Sequence, residues 1–416
     1  MNAGATSFRN APSADTLLML SRLIGFNTVS RESNLGLIEW ARDYLQSLGA
    51  SVRLTYDRSS KKANLFATYG EGPHFGTVFS GHTDVVPADD QAWDSDPFIA
   101  TAVGDRIRGR GTCDMKGFLA VCLSRLPQFS PAQLHTPLHF SFSYDEELGC
   151  LGVRGLLDDL RTHGIAPVAC IVGEPTMMQP VLAHKGKHAY RCRVHGHAAH
   201  SSSPQLAINA VDFTAELIVR IRQIAERVRA SGPWDDAFDV PYSTIVTTLI
   251  QGGKVINTIP DRCEFVFEHR FLPGVDPQRV MDELRSYINE ELLPRMKVES
   301  AYAGSADGRV EFEVLSAYPG LDTGSSDLIA QRAIRILGGE RARKVGFGTE
   351  AGLFSAAGIP ALVCGPGDIA HAHKPNEFVT LAQLARCEDF FDAYVRATSM
   401  HPDSGGPAAC AMRGAA

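Results

Sequence analysis

Over the first 50 residues apolar side chains return every three or four positions: Leu17, Leu18, Leu20, Leu23 and Ile24 follow Ser13, and Leu37, Ile38, Ala41, Leu45 and Leu48 lead to Gly49. That period predicts two amphipathic helices. The pattern then changes to alternation or to short continuous apolar runs, which predict strands over 52–56, 64–69, 77–80, 138–144 and 168–172. Helical patterns at 116–126 and 153–161 fall between them. Strands alternating with helices predict an α/β fold, a mostly parallel sheet with helices on both faces.

The character changes after His184-Lys185-Gly186. A strand at 188–194, a long helix at 206–228, strands at 244–250 and 263–270, a helix at 277–293 and a strand at 310–314 follow. That order, β-α-β-β-α-β, predicts a compact two-layer insert over 187–314. The first pattern resumes with a helix at 326–337, a strand at 361–364 and a last helix at 381–397. One α/β domain, 1–186 and 315–401, is thus expected to be interrupted by the insert, and 402–416, rich in Pro, Gly and Ala, to form a flexible tail.

A length of 416 residues suits two or three domains, and 44% hydrophobic with 21% charged residues excludes a disordered or collagen-like chain. The net charge of -7 offers no attraction to nucleic acid or an anionic membrane. Nine cysteines, never spaced C-x-x-C, fit neither a disulfide framework nor a thiolate zinc site, so a reducing compartment is expected. No leader-like apolar core opens the chain and no run approaches the roughly 18 apolar residues of a membrane span, so the expected location is the cytoplasm.

Three predicted strands run into imidazole or carboxylate groups: Gly81-His82-Thr83-Asp84, Asp145-Glu146-Glu147 and Gly173-Glu174-Pro175. Ligand crevices of open α/β sheets form at such strand ends. Asp114 and His373 are plausible additions from loops. Taken singly, each is explained as a surface residue or a helix-capping carboxylate. Together they are not, because four carboxylates in one cavity repel each other unless cations neutralise them. Imidazole and carboxylate without thiolate suit zinc, with cobalt or manganese as alternatives, and two histidines with three carboxylates suffice for two ions. Of the neighbours Glu146 and Glu147, one would ligate and the other move a proton.

The chain resembles the metallopeptidase family that contains acetylornithine deacetylases, succinyl-diaminopimelate desuccinylases, aminoacylases and carboxypeptidase G. The resemblance is carried, in the family's order and across most of the chain, by Ser80-Gly-His-Thr-Asp-Val-Val-Pro87, Gly109-Arg-Gly-Thr-Cys-Asp-Met-Lys-Gly117, Asp145-Glu-Glu147, Gly173-Glu-Pro-Thr176 and Ala372-His-Lys-Pro-Asn-Glu377. It implies a hydrolase with two Zn2+ per chain, Co2+ being a possible substitute, and makes the insert a dimerisation or lid domain. By position, Asp114 would bridge the ions, one also held by His82 and Glu174, the other by Glu147 and His373. Glu146 would be the general acid/base, and Asp84 would orient His82.

Within the insert, His200 matches a family histidine that stabilises the oxyanion in the partner subunit's active site, with His195 and His197 as competing choices. Asn257 and Arg270 match positions near the substrate, and the fork of Arg270 suits a substrate carboxylate. Val181-Leu-Ala-His-Lys-Gly186, Gly348-Thr-Glu-Ala351 and the segment from Cys364 to His373 are most similar to the acetylornithine deacetylases. That likeness implies removal of the acetyl group from N2-acetyl-L-ornithine in arginine biosynthesis by a homodimer. Glu350 would then face the ornithine side-chain ammonium, or serve only as a helix N-terminal carboxylate. Alternatives are a desuccinylase, aminoacylase or dipeptidase with the same two-metal centre and, more distantly, a non-catalytic metal-binding protein.

Overall fold

A computed structural model describes residues 9–71, 75–339 and 341–399, so the tail expected at 402–416 lies outside them. The main strands, in chain order, are β1 (Ser51–Tyr56), β2 (Ala63–Tyr69), β3 (Thr77–His82), β4 (Leu138–Ser143), β5 (Ala169–Pro175) and β6 (Val181–His184). They are followed by β7 (Gly186–His195), β8 (Thr244–Gly252), β9 (Arg262–Phe271), β10 (Arg309–Tyr318) and β11 (Ala361–Gly365). The chain divides into two compact units. One takes the residues up to Leu182, Thr323–Ala342 and those from Thr349 onward; the other is Ala183–Asp322 with Arg343–Gly348.

In the first unit the sheet runs β1-β2-β4-β3-β5-β11. The pairs β4/β3, β3/β5 and β5/β11 are parallel, whereas β1/β2 and β2/β4 are antiparallel. Strands β3, β4, β5 and β11 are buried along their whole length, as expected for strands covered on both faces; β5 and β11 accordingly open on continuous apolar runs, whereas β4 alternates and still buries His139, Ser141 and Ser143. The helix Lys116–Arg125 is likewise buried at every position. The first helix, Ala14–Ile24, starts where Ser13 accepts the Thr16 N–H at 3.3 Å. Aromatic rings of the last helix close the core: Phe391 lies 4.7 Å and Tyr394 5.8 Å from the ring of Phe79 on β3.

Two glycines set how closely sheet and helix approach. A Cβ on Gly81 would meet Met115 at 2.5 Å, and one on Gly173 would meet the Phe118 ring at 1.9 Å. Each glycine precedes a candidate metal ligand, His82 and Glu174, so close packing fixes the height at which both emerge.

The second unit is a four-stranded antiparallel sheet in the order β8-β9-β7-β10. The strict alternation of β9 buries Phe265 and Phe267 against Leu217, Ile221 and Leu284 of the helices Ala210–Ser231 and Gln278–Tyr287. The opposite face carries a charge ladder in which Arg193 binds Glu313 at 2.6 Å and Glu264 at 3.4 Å.

The observed unit is longer at both ends than the expected 187–314. Val181–His184 forms a strand that was not expected, and β10 runs on to Tyr318 through an irregularity at Val314/Ser316 that breaks the apolar alternation. The helix expected to stop at residue 293 also continues. A π-turn at Ile288–Leu292 leads into Leu293–Ala303, and Pro294, which cannot donate to the helical ladder, lies directly after that turn.

Candidate metal centre

His82 closes β3, Glu146 and Glu147 follow β4, and Glu174 lies near the end of β5, so three neighbouring parallel strands deliver their side chains to one edge of the sheet. The loops of Asp114 and His373 complete the cluster. His82 Nε2 lies 2.9 Å from Asp114 Oδ1 and 3.6 Å from Glu174 Oε1. His373 Nε2 lies 3.2 Å from Asp114 Oδ2 and 3.1 Å from Glu147 Oε1. Asp114 therefore stands between the two imidazoles, one carboxylate oxygen toward each. Two ligand triads share His82: with Asp114 and Glu147, and with Glu146 and Glu174, each set of ligand atoms lying within 4.8 Å.

The electrostatics are those of a site built for cations. Against desolvation, hydrogen bonds from His373 and His82 hold the Asp114 carboxyl well below the usual range. The reciprocal hydrogen bonds to Asp114 and Glu147 push the His373 imidazole up to about 10. Desolvation, with the Asp114 charge beside it, drives Glu174 well above an ordinary carboxyl. Desolvation likewise lifts Glu146 to about 8, with Glu147 adding to the rise and His82 opposing it. Among the described ion pairs, the carboxylates of Asp114, Glu147 and Glu174 face only the imidazoles of His82 and His373. Divalent ions held by the same nitrogen and oxygen donors would relieve the repulsion, so the donor set fits a two-metal centre of imidazole and carboxylate.

His82 is held through the backbone carbonyl of Asp84, whose carboxylate, expected to orient the ring, lies just beyond hydrogen-bond distance. His82 Nδ1 lies 2.8 Å from the Asp84 carbonyl and 3.6 Å from its carboxylate, which leaves Nε2 facing the cluster. The Asp84 carboxylate also accepts the N–H of Glu146 at 3.1 Å, the N–H of Glu147 at 3.3 Å and the Ser30 hydroxyl at 2.7 Å. One carboxylate thereby holds the backbone of two members of the centre, Glu146 and Glu147.

The other expected residues are placed as follows. In the second unit, His200 is exposed and sits in a short ribbon, paired with Thr258, while the Ser201 N–H donates to the Asn257 carbonyl at 3.0 Å, so His200 and Asn257 are neighbours. His195 is engaged by Glu311 at 3.2 Å. Arg270 donates to Glu268 at 2.8 Å and to the Gly346 carbonyl at 3.4 Å. In the first unit, Glu350 is buried at 1% exposure, caps no helix N–H with its side chain, and leaves both carboxylate oxygens outside hydrogen-bond geometry. Burial pushes it up to about 7, tempered by the Ser143 hydroxyl and by His82. Glu377, quoted above only as the end of a motif, proves to bind the backbone of the Asp114 loop.

All eight cysteines among the described residues are free and buried, and no described helix is long and apolar enough to cross a membrane.

Comparison with known proteins agrees with this geometry. The chain is 34% identical over 372 residues to an acetylornithine deacetylase of Pasteurella multocida, covering 88% of this chain and 93% of the relative. It is 34% identical over 355 residues to one of Proteus mirabilis, covering 84% and 87%. Among solved structures, an M20 family metallo-carboxypeptidase of Sulfolobus solfataricus has the same fold with TM-score 0.73 at 17% identity, covering 93% of this chain and all of that one. A tripeptidase of Staphylococcus aureus gives TM-score 0.70 at 18% identity, covering 94% and 100%. The family model for peptidase family M20/M25/M40 matches residues 78–397, a span that holds every member of the acidic cluster, and the chain belongs to that family.

Proposed function

We propose that the protein is a zinc-dependent amidohydrolase that removes the acetyl group from N2-acetyl-L-ornithine, releasing L-ornithine and acetate, and that it acts as a cytoplasmic homodimer. The reaction class rests on the convergence of His82, Asp114, Glu146, Glu147, Glu174 and His373. The substrate rests on the similarity to acetylornithine deacetylases over most of the chain.

In this reading His82, Asp114 and Glu174 would hold one ion, and Asp114, Glu147 and His373 the other. Bound there, the ions would supply Lewis-acid polarisation of the acetyl carbonyl and acidify the attacking water. Glu146 takes the proton of that water as the new C–O bond forms and gives it to the departing nitrogen as the C–N bond breaks. His200 reaches the metal centre of the other subunit and donates to the oxyanion, and Arg270 and Asn257 hold the substrate. Glu350 is the partner of the ornithine ammonium, for which its two unpaired oxygens leave acceptors free.

Glu146→Gln separates ligand from proton carrier. The variant should keep two ions per chain while kcat falls by ~10² to 10⁴. Loss of an ion from this variant would contradict the division of labour between Glu146 and Glu147. Glu350→Gln should lower selectivity for acetylornithine over N-acetyl-methionine, compared by kcat/KM, and unchanged selectivity would remove Glu350 from the substrate site.

A further inference from the structure

The loops that carry Asp114 and His373 meet at one buried carboxylate. Glu377 Oε1 accepts the backbone N–H of Cys113 at 2.9 Å and of Asp114 at 3.1 Å, and Oε2 accepts from Arg110 Nη1 at 2.8 Å. Glu377 is 1% and Arg110 0% exposed. Arg110 extends the link: Nη1 also donates to the Lys374 carbonyl at 3.3 Å, and Nη2 donates to Gln91 Oε1 at 2.6 Å and to the Pro87 carbonyl at 3.2 Å. The Trp93 ring covers the guanidinium at 5.0 Å. Gln91 Nε2 then donates to the carbonyl of His373 itself at 3.2 Å. His373 has φ +64, a left-handed conformation that is unfavourable for a residue with a Cβ and persists only where the surroundings impose it.

We propose that Glu377 and Arg110 are positioning residues of the metal centre: the buried pair, with Gln91, fixes the separation of the Asp114 carboxylate and the His373 imidazole and so sets the affinity of the ion on the His373 side. A buried ion pair is a poor device for stability alone, because desolvation offsets most of its attraction. Its geometry here is specific, since the acceptor faces the peptide N–H of a ligand residue and the donor reaches the segment that carries another. No comparable link runs from Glu377 to His82 or Glu174 among the described hydrogen bonds, so the ion on the His373 side should respond more strongly than the other, with which it shares Asp114.

The inference rests on the two-metal reading, and one experiment distinguishes the two. Metal-free full-length protein is titrated with Co2+, followed by visible absorbance and by competition with a chelator, for wild type, Glu377→Gln, Arg110→Lys and Gln91→Ala. The expected result is the ion on the His373 side weakened by ~10- to 100-fold in the Glu377 and Arg110 variants, and the other, which shares only Asp114 with it, weakened several-fold less. Gln91→Ala, which leaves the buried pair intact, should show a smaller shift at the same ion, and it decides the matter alone if the other variants do not fold. In Zn2+-loaded enzyme kcat should fall with KM near its wild-type value. Equal weakening of both ions in step with a lower thermal midpoint, or wild-type affinities in folded variants, would overturn the positioning role. A wild-type protein that binds fewer than two ions would overturn the metal reading itself, and this inference with it.

Discussion

At the scale of single residues, the metal centre depends on packing as much as on its ligands. Gly173 has no room for a side chain, since a Cβ would stand 1.9 Å from the Phe118 ring. Gly173→Ala should therefore destabilise the protein by about 1–3 kcal/mol through overpacking, measured by urea unfolding, and should weaken metal binding because Glu174 is the next residue. An unchanged midpoint would mean that Phe118 moves aside freely. The candidate ligands were legible in the sequence because each lies at or near a strand end or in a glycine-rich loop, positions where a polar residue is exposed to a crevice. Glu377 was not legible as a positioning residue. Its partners are peptide N–H groups at Cys113 and Asp114, 264 and 263 positions away, and backbone donors leave no mark on side-chain pattern.

At the scale of elements, the period of apolar residues was sufficient wherever one rule governed a segment. β9 alternates strictly, and the core helices and strands follow their expected spans closely. It was insufficient where a local irregularity intervened, as at the β10 bulge and the π-turn before Pro294. The same sheet shows which face stabilises it. Phe267 is fully buried, so Phe267→Ala should cost about 3–5 kcal/mol. Glu313, whose side chain is 44% exposed in the charge ladder, should cost far less as Glu313→Gln. Chemical denaturation of the two variants checks the ordering, and a larger loss from Glu313→Gln would mean that the ladder and not the apolar face holds the sheet.

At the scale of the whole molecule, the acidic cluster ties stability to metal. Glu146 and Glu350 have folded-state values of about 8 and about 7, above the ordinary carboxyl range. A group raised on folding contributes fully below its unfolded value, and that contribution is lost as pH rises through the folded value. His373, raised to about 10, acts in the same direction. Metal-free protein should therefore lose thermal stability as pH rises from about 5 to about 8, and saturating Zn2+ should reduce that loss by neutralising the deprotonated cluster. A metal-free midpoint that rises over this range would show that other groups dominate. The most direct test of the account is hydrolysis of N-acetyl-L-ornithine beside N-succinyl-diaminopimelate, N-acetyl-methionine and a dipeptide, using protein whose metal has been counted before and after chelation. The account predicts about two ions per chain, preference for acetylornithine, and loss and recovery of activity with metal removal and return. Full activity in metal-free protein, or two bound ions with no hydrolysis of any of the four, would contradict it.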